Sequence, residues 1–443
     1  MGISGIIAKS FDFIFRAYYS ARLGAEGMGL LSLGFSLHGV MLTFATAGLG
    51  VAVSKTASEY MEQGKIKSVI RCMHSSLFGV SALSLIVMTL TFIFSPLLAN
   101  KVLGDSRVRV SLCALVPSVL FMGLSYCLKG FYYAARSVLV PASSEFLEQL
   151  VKFTAIKLLL DLSLPYGIEY GCAAVFGGIS IGELSSCLYL SFIYLKKERL
   201  LEKTAHPDEV TRPTEPIYRL LSVSIPSMLT SLCCSTLRMK EEVLIISALK
   251  RGGMTHSSAL SSLGILKGMA MPLLVMPLNL IGSVTSLLVP EISRAGAHSR
   301  ERLRARTARI YKVGLPLGFL VGAIFLLFGE RITELVYGKP DAARLVIYLA
   351  PLCPVMFADS LSCSILNGLG KQTRMLVFFL LDFCLRFTLI YFTVPKGQMT
   401  AFCIMVAASN IFTCILSCVS VERLTSLNRS IRLTKKVKYG NVK

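Results

Sequence analysis

The 443-residue sequence has no tryptophan, and only 16% of its residues are charged. A typical soluble domain carries roughly 25%, so a soluble fold of this length would have more surface than these charges can cover. Any aromatic belt at a membrane interface must be built from Tyr and Phe. No Cys-x-x-Cys pair and no His-Glu-x-x-His motif occurs, which removes the sequence grounds for a metal site. There is no Walker A pattern and no Gly-rich loop joining strand to helix, so neither a nucleotide nor any other cofactor is expected. The sequence also lacks a sizeable extramembrane domain and a carboxylate catalytic motif, which makes a glycosyltransferase remote. These absences exclude a soluble enzyme, a disordered chain and a secreted disulfide scaffold; no enzymatic activity is expected.

Apolar sequence dominates: 54% of residues are hydrophobic, and they come in long runs. A membrane span needs about 20 mostly apolar residues. About twelve such runs are present, at 3–21, 28–52, 75–98, 110–132, 141–163, 169–195, 217–239, 258–289, 310–329, 343–366, 374–394 and 397–420. The expected fold is an all-α polytopic membrane protein. Lys9, Asp12 and Arg16 interrupt the first run, which argues against a cleavable signal. Pro272 and Pro277 predict a kink in the eighth, because proline removes a backbone hydrogen bond and clashes with the preceding turn. Most of the 13 cysteines, among them Cys113, Cys187, Cys363, Cys384 and Cys414, lie inside apolar runs, where they act as small hydrophobes.

Lys and Arg number 46 against 25 Asp and Glu, a formal +21. The basic residues lie between apolar runs rather than on one face, so the excess reads as the positive-inside bias of a membrane protein rather than as a nucleic-acid surface. Connections after even-numbered runs carry Lys55, Lys65, Lys67 and Arg71, then Lys196, Lys197, Arg199, Lys203 and Arg212, then Arg294 to Arg309. The tail adds Arg429, Arg432, Lys435, Lys436 and Lys438. Both termini are therefore expected on the cytoplasmic side of the cell membrane. The widest polar break predicts a linker at 196–216, between an N-terminal six-helix lobe (1–195) and a C-terminal one (217–421), with a basic tail at 422–443.

The halves repeat one another. Leu115-Val-Pro117 answers Leu349-Ala-Pro351, and Glu148, Lys152, Phe153, Thr154 and Ile156 answer Asp382, Arg386, Phe387, Thr388 and Ile390, all 234 residues apart. The end of the second run, Val53 to Glu59, resembles the end of the eighth, Val289 to Arg294. An even number of spans per half makes the repeats parallel, an arrangement typical of transporters with a site at the repeat interface.

Charge inside the membrane is costly and usually faces a bundle interior or watery cavity. Lys9, Asp12 and Arg16 share one face of the first helix by their spacing and leave net positive charge, which favours a cavity-lining role. Glu145, Glu148 and Lys152 repeat that spacing in the fifth helix, and Asp382 and Arg386 can pair in the eleventh. These acid–base sets are intramembrane ion pairs, read equally as packing glue or as functional groups. Lys267 either lines a cavity, helped by Gly264 and Gly268, or snorkels to an interface. Arg238, Lys240, Glu241 and Glu242 close the seventh run and read as an interfacial cluster. Asp359 and Glu183 are each a proton or cation site, or a hydrogen-bonded structural acid.

Several stretches together resemble the stage V sporulation protein B and polysaccharide flippase family. They are Phe13-Ile-Phe-Arg16 with Leu23 to Leu30, Thr43 to Gly48 with Val51 to Lys55, Leu128-Lys-Gly130, Glu148 to Lys152, Gly268 to Pro277, and Leu288 to Ser293. That family belongs to the superfamily of multidrug and toxin extrusion transporters and lipid II flippases. The resemblance implies two six-helix lobes around a central cavity. It also implies export of a lipid-linked sugar or peptidoglycan precursor for cell-wall, spore-cortex or polysaccharide synthesis. Lipid II flippases line their cavity with basic residues; Arg16 matches the arginine of that pattern and Lys9 a position usually basic. Asp12 departs from it. Glu241 stands where the family often has an aspartate, and joins Asp359 and Glu183 as a candidate for ion coupling.

The resulting expectation is a flippase for an anionic lipid-linked headgroup, with Lys9, Asp12, Arg16 and Lys267 in its cavity. Membrane lipids and a lipid II-like substrate are the expected partners. The alternatives are a cation-coupled multidrug antiporter, which would use Asp12, Glu145, Asp359 and Asp382, and a non-transporting scaffold that recruits cell-wall enzymes.

Overall fold

The computed structural model describes residues 2–204, 215–285, 300–338 and 340–426, and no strand occurs among them. Helix α1 (Gly2–Thr46) is followed by α2 (Leu49–Glu62), α3 (Ile66–Leu97), α4 (Val108–Ala134), α5 (Leu139–Ser163), α6 (Ile168–Thr204) and α7 (Glu215–Arg251). Then come α8 (His256–Leu263), α9 (Met271–Thr285), α10 (Arg300–Tyr337), α11 (Ala343–Leu349), α12 (Cys353–Gly368), α13 (Gln372–Phe392) and α14 (Val394–Ser426). Parts of the expected linker (205–214), the end of the eighth run with the Val289–Arg294 motif, and residues 427–443 of the expected tail lie outside the described residues.

Among the described residues ten helical stretches are long and apolar enough to cross a membrane, which makes the chain an all-α multi-pass membrane protein. Two features reconcile this count with about twelve expected runs. Lys9–Glu62 counts as one stretch although it covers two of them. The fifth run lies in α5, where Glu145, Glu148, Lys152, Lys157 and Asp161 dilute the apolar sequence. The most apolar stretch, Ile66–Leu103, has a mean hydropathy of 2.3 but only 17% of its best window buried, against 1.9 and 50% for Val108–Ala134. That ordering suits a helix facing lipid, where apolar surface costs nothing by staying outside the bundle.

Breaks within the runs shift several expected boundaries. Gly24 sits inside α1 at φ 68° and ψ −172°, a conformation open to glycine and strained for other residues. It turns the chain between the first two runs. The second run was expected to reach 52, but the helix ends at Thr46 and α2 starts afresh at Leu49. In the eighth run the irregularity is a π-helical segment at Gly264–Ala270. Pro272, which has no N–H to donate to the Gly268 carbonyl, follows directly after it.

By internal packing the chain forms two compact units. The first comprises residues 14–247 and 255–268; the second comprises 2–13, 248–254 and the chain from 269 onward. In the first unit Tyr60, Phe131, Tyr132 and Tyr194 are buried together, with the Phe131 and Tyr194 rings edge-on at 5.1 Å. In the second, Leu303, Ile365, Leu366 and Val421 join α10, α12 and α14. The duplication read from sequence extends to the helix bounds. Ala134 and Gly368, which close α4 and α12, lie 234 residues apart.

Within the first unit the second half of α1 lies directly against α8 and the π segment. A Cβ placed on Gly264 would overlap the Ala25 carbonyl, and one on Gly29 would overlap that of Leu260. Gly264→Ala should therefore lower stability by about 1–3 kcal/mol, read as a fall in Tm of the purified protein. Gly39→Ala, which meets no atom within 4 Å, should leave Tm unchanged or raise it, since alanine is the better helix former.

Candidate functional site

The polar seam between the second half of α1 and α7 meets the π segment at Lys267. Its Nζ donates to Glu241 Oε1 at 3.0 Å, and Glu241 is 5% exposed. The neighbouring Glu242 takes a hydrogen bond from the Ser36 hydroxyl of α1. Its Oε2 is shut off from solvent and has no partner among the described residues. Two turns along both helices, Thr43 Oγ1 and Ser235 Oγ lie 3.1 Å apart. The sequence reading ended the seventh span at 239 and put Arg238 to Glu242 at an interface. Instead, α7 continues to Arg251, so Glu241 and Glu242 lie well inside the helix. They are tolerated there because Lys267 supplies the opposite charge and α1 supplies a hydroxyl. Lysine on a π segment is also a common setting for function, since the extra residue re-aims side chains out of the helical ladder. Chemically, this set can exchange a proton or cation, or receive a polar headgroup.

Lys9 and Asp12 are exposed and belong to the second unit; Arg16 is half-buried and belongs to the first. Lys9 Nζ donates to the Asn279 carbonyl at 3.2 Å. Arg16 forms no ion pair with any carboxylate among the described residues.

The remaining intramembrane charges gather in two clusters. In the first unit Lys152 Nζ donates to Glu148 Oε1 at 2.9 Å. Lys129, on α4, reaches Glu145 at 3.4 Å and Glu148 at 3.9 Å, and Glu183 of α6 hydrogen-bonds Glu148. In the second unit Arg386 Nε donates to Asp382 Oδ2 at 2.8 Å and to Ser409 Oγ at 2.7 Å. Ser409 in turn donates to Asp382 Oδ1, and Ser417 Oγ donates to Asp359 Oδ1 at 2.7 Å. Sequence reasoning missed Lys129 as a charged partner. The excess acid of Glu145 and Glu148 on one helix was the available signal, because it calls for a base on a neighbour.

A third network, also missed, lies between spans and joins three chain reversals of the first unit. Arg107 bonds Asp105 through Nη2 at 2.9 Å and Nε at 3.2 Å, and Glu26 through Nη1 at 2.8 Å. His256 Nε2 meets Asp105 Oδ2 at 2.9 Å. Burial raises the Asp105 carboxyl, but the bonds from Arg107 and His256 outweigh it and hold that group below the usual carboxylate range. His256 opens the helix that leads into the Lys267 segment, so this network anchors the start of that helix.

Residues 1–296 match the polysaccharide biosynthesis protein family. The chain belongs to this family. A second family, MatE, matches residues 226–392. Among curated relatives, it is 27% identical to stage V sporulation protein B of Bacillus subtilis, over 79% of this chain and 67% of that one. It is 21% identical to the lipid II flippase MurJ of Bacillus subtilis, over 83% of this chain and 71% of that one. Its fold is that of an inward-facing multidrug resistance MATE family transporter of the MOP superfamily, with a TM-score of 0.74 and 14% identity, covering 97% of this chain and 99% of that chain. A MOP superfamily transporter from Pyrococcus furiosus aligns with a TM-score of 0.65 at 14% identity, over 96% and 95% of the two chains.

Two outcomes follow from this geometry. Lys267→Met strands Glu241 without its base and should cost about 3–5 kcal/mol. Lys267→Met combined with Glu241→Gln should recover most of that loss, as read by Tm and membrane abundance. A lowered carboxyl stabilises the fold above its ordinary value, 3.8 for Asp105, and that contribution is lost as pH falls through the lowered value. The Tm difference between the wild type and Asp105→Asn should accordingly be largest near neutrality and vanish in strong acid.

Proposed function

We propose that the protein is a flippase that carries a lipid-linked sugar or peptidoglycan precursor across the cell membrane by alternating access, with both termini cytoplasmic. The observation that carries this reading is Arg16: half-buried in the first helix and without a carboxylate partner among the described residues. Elsewhere within the spans, Lys129, Lys152, Lys267 and Arg386 are each paired with an acid. A guanidinium left unneutralised at such depth is poised for an external anion, and its planar fork suits phosphate bidentately. The family supports the same class of substrate, as do the relatives named for spore formation and for lipid II flipping. In this reading Lys9 adds a point charge for the headgroup, Asp12 offsets part of that charge, and Lys267 with Glu241 contacts the uncharged part of the headgroup. The acyl chain stays in the bilayer, and two lobes, 1–195 and 217–421, rock about a cavity between them.

Arg16→Ala removes a charge-assisted phosphate contact worth about 1.5–3 kcal/mol. Flipping of fluorescent lipid II by the purified protein in liposomes should fall roughly tenfold to a hundredfold, with membrane abundance unchanged and partial recovery in Arg16→Lys. Full flipping by Arg16→Ala, or efflux of cationic dyes without any flipping, would overturn the assignment in favour of a drug antiporter.

A further inference from the structure

The two halves of the chain provide an internal control for the charged cluster on α4, α5 and α6. Positions 234 apart correspond: Glu148 with Asp382, Lys152 with Arg386, Lys129 with Cys363, and Glu183 with Ser417. In the second half one acid and one base on α13, closed by the hydroxyl of Ser409, join the helices. That half does so with a thiol and a hydroxyl where the first half has Lys129 and Glu183. The acid of that set sits elsewhere, at Asp359 of α12, which accepts from Ser417 and faces the Cys363 thiol.

The first half keeps both Lys129 and Glu183, and holds them tightly. Gly182 lets α6 press onto α5: a Cβ there would lie 2.8 Å from Lys152 Cβ and 3.2 Å from the Glu148 carbonyl. This close approach sets the next residue, Glu183, against the Glu148 carboxyl, and both glutamates are 6% exposed. Two carboxyls can hydrogen-bond each other only if a proton lies between them. The groups facing Glu183 are Lys129 and Tyr126 from α4, Glu145, Glu148 and Lys152 from α5, and Cys187 one turn further along α6. Three carboxyls thus stand against two ammonium groups.

We propose that Glu183 and Glu148 share one exchangeable proton, which makes this cluster a proton-binding site of the first unit. The lysines on either side hold Glu148 as the ionised partner, so Glu183 carries the proton. Release of that proton changes the charge between α4, α5 and α6 by one. In the second half the carboxyl near the corresponding place, Asp359, accepts from the Ser417 hydroxyl. The inference does not depend on what the protein transports.

The test compares infrared absorption of the full-length protein in lipid membranes at about pH 5 and about pH 9. The wild type should show a protonated-carboxyl C=O band that disappears on alkalisation. The band should be lost in Glu183→Gln and Glu183→Ser and retained in Asp359→Asn. Glu183→Ser carries the side chain found at the corresponding position 417 and should fold; should it not, the near-isosteric Glu183→Gln decides. A wild type without the band change, or a change that persists in the Glu183 variants, overturns the proposal. The measurement needs no substrate, so its failure would leave the flippase reading standing, just as failure of the Arg16 test would leave this site standing.

Discussion

An ionised side chain within a membrane span must be neutralised where it lies, because the surrounding hydrocarbon offers no other stabilisation. This constraint organises much of the described structure. Lys267 can occupy the middle of a span because Glu241 meets it at 3.0 Å. Lys152 and Arg386 each bond an acid one helical turn earlier, and Lys129 crosses from α4 to two acids of α5. The pairing lets the helices carry chemistry that plain apolar spans could not. It also makes Arg16, which has no carboxylate partner among the described residues, informative, since an unpaired base is costly to keep.

The duplicated architecture shows how the same constraint is met at two levels of polarity. Arg386 bonds Asp382 and Ser409, and Ser409 bonds Asp382, which joins two helices. The corresponding place in the first half contains five ionisable groups from three helices, drawn close by a glycine on α6. The two copies thus differ in the charged groups they bring to corresponding helices. Specialisation of this kind is open to a duplicated transporter fold, because either half can hold its helices together without the other's chemistry.

Much of the architecture was legible before any coordinates. Runs of about 20 apolar residues mark spans wherever they occur, and the 234-residue repeat reappears in the ends of α4 and α12. Boundaries went astray where a run was judged by its charges. The seventh was closed at the first cluster of charged residues, although the helix continues through Glu241 and Glu242 to Arg251. The fifth run was read as a span despite its charges, and the helix forms over Leu139–Ser163. In both cases a neighbouring helix supplies the compensating group, and hydropathy along a single helix cannot register it.

The sequence by itself determined which segments enter the membrane, that the chain is a duplication, and which acids and bases can pair one turn apart. These follow from transfer free energy and from helical periodicity, which act between residues close in the chain. Only the tertiary structure decided that Lys267 answers Glu241, that Lys129 completes the α5 cluster, that Glu183 lies against Glu148, and that Arg107 gathers Asp105 and Glu26. Apart from Asp105, which nearly adjoins Arg107, those partners are 16 to 81 residues apart in the chain. Their meeting depends on how closely two helices approach and at what rotation, which is set by small residues such as Gly182 and Gly264 at the contact rather than by the charged residues themselves.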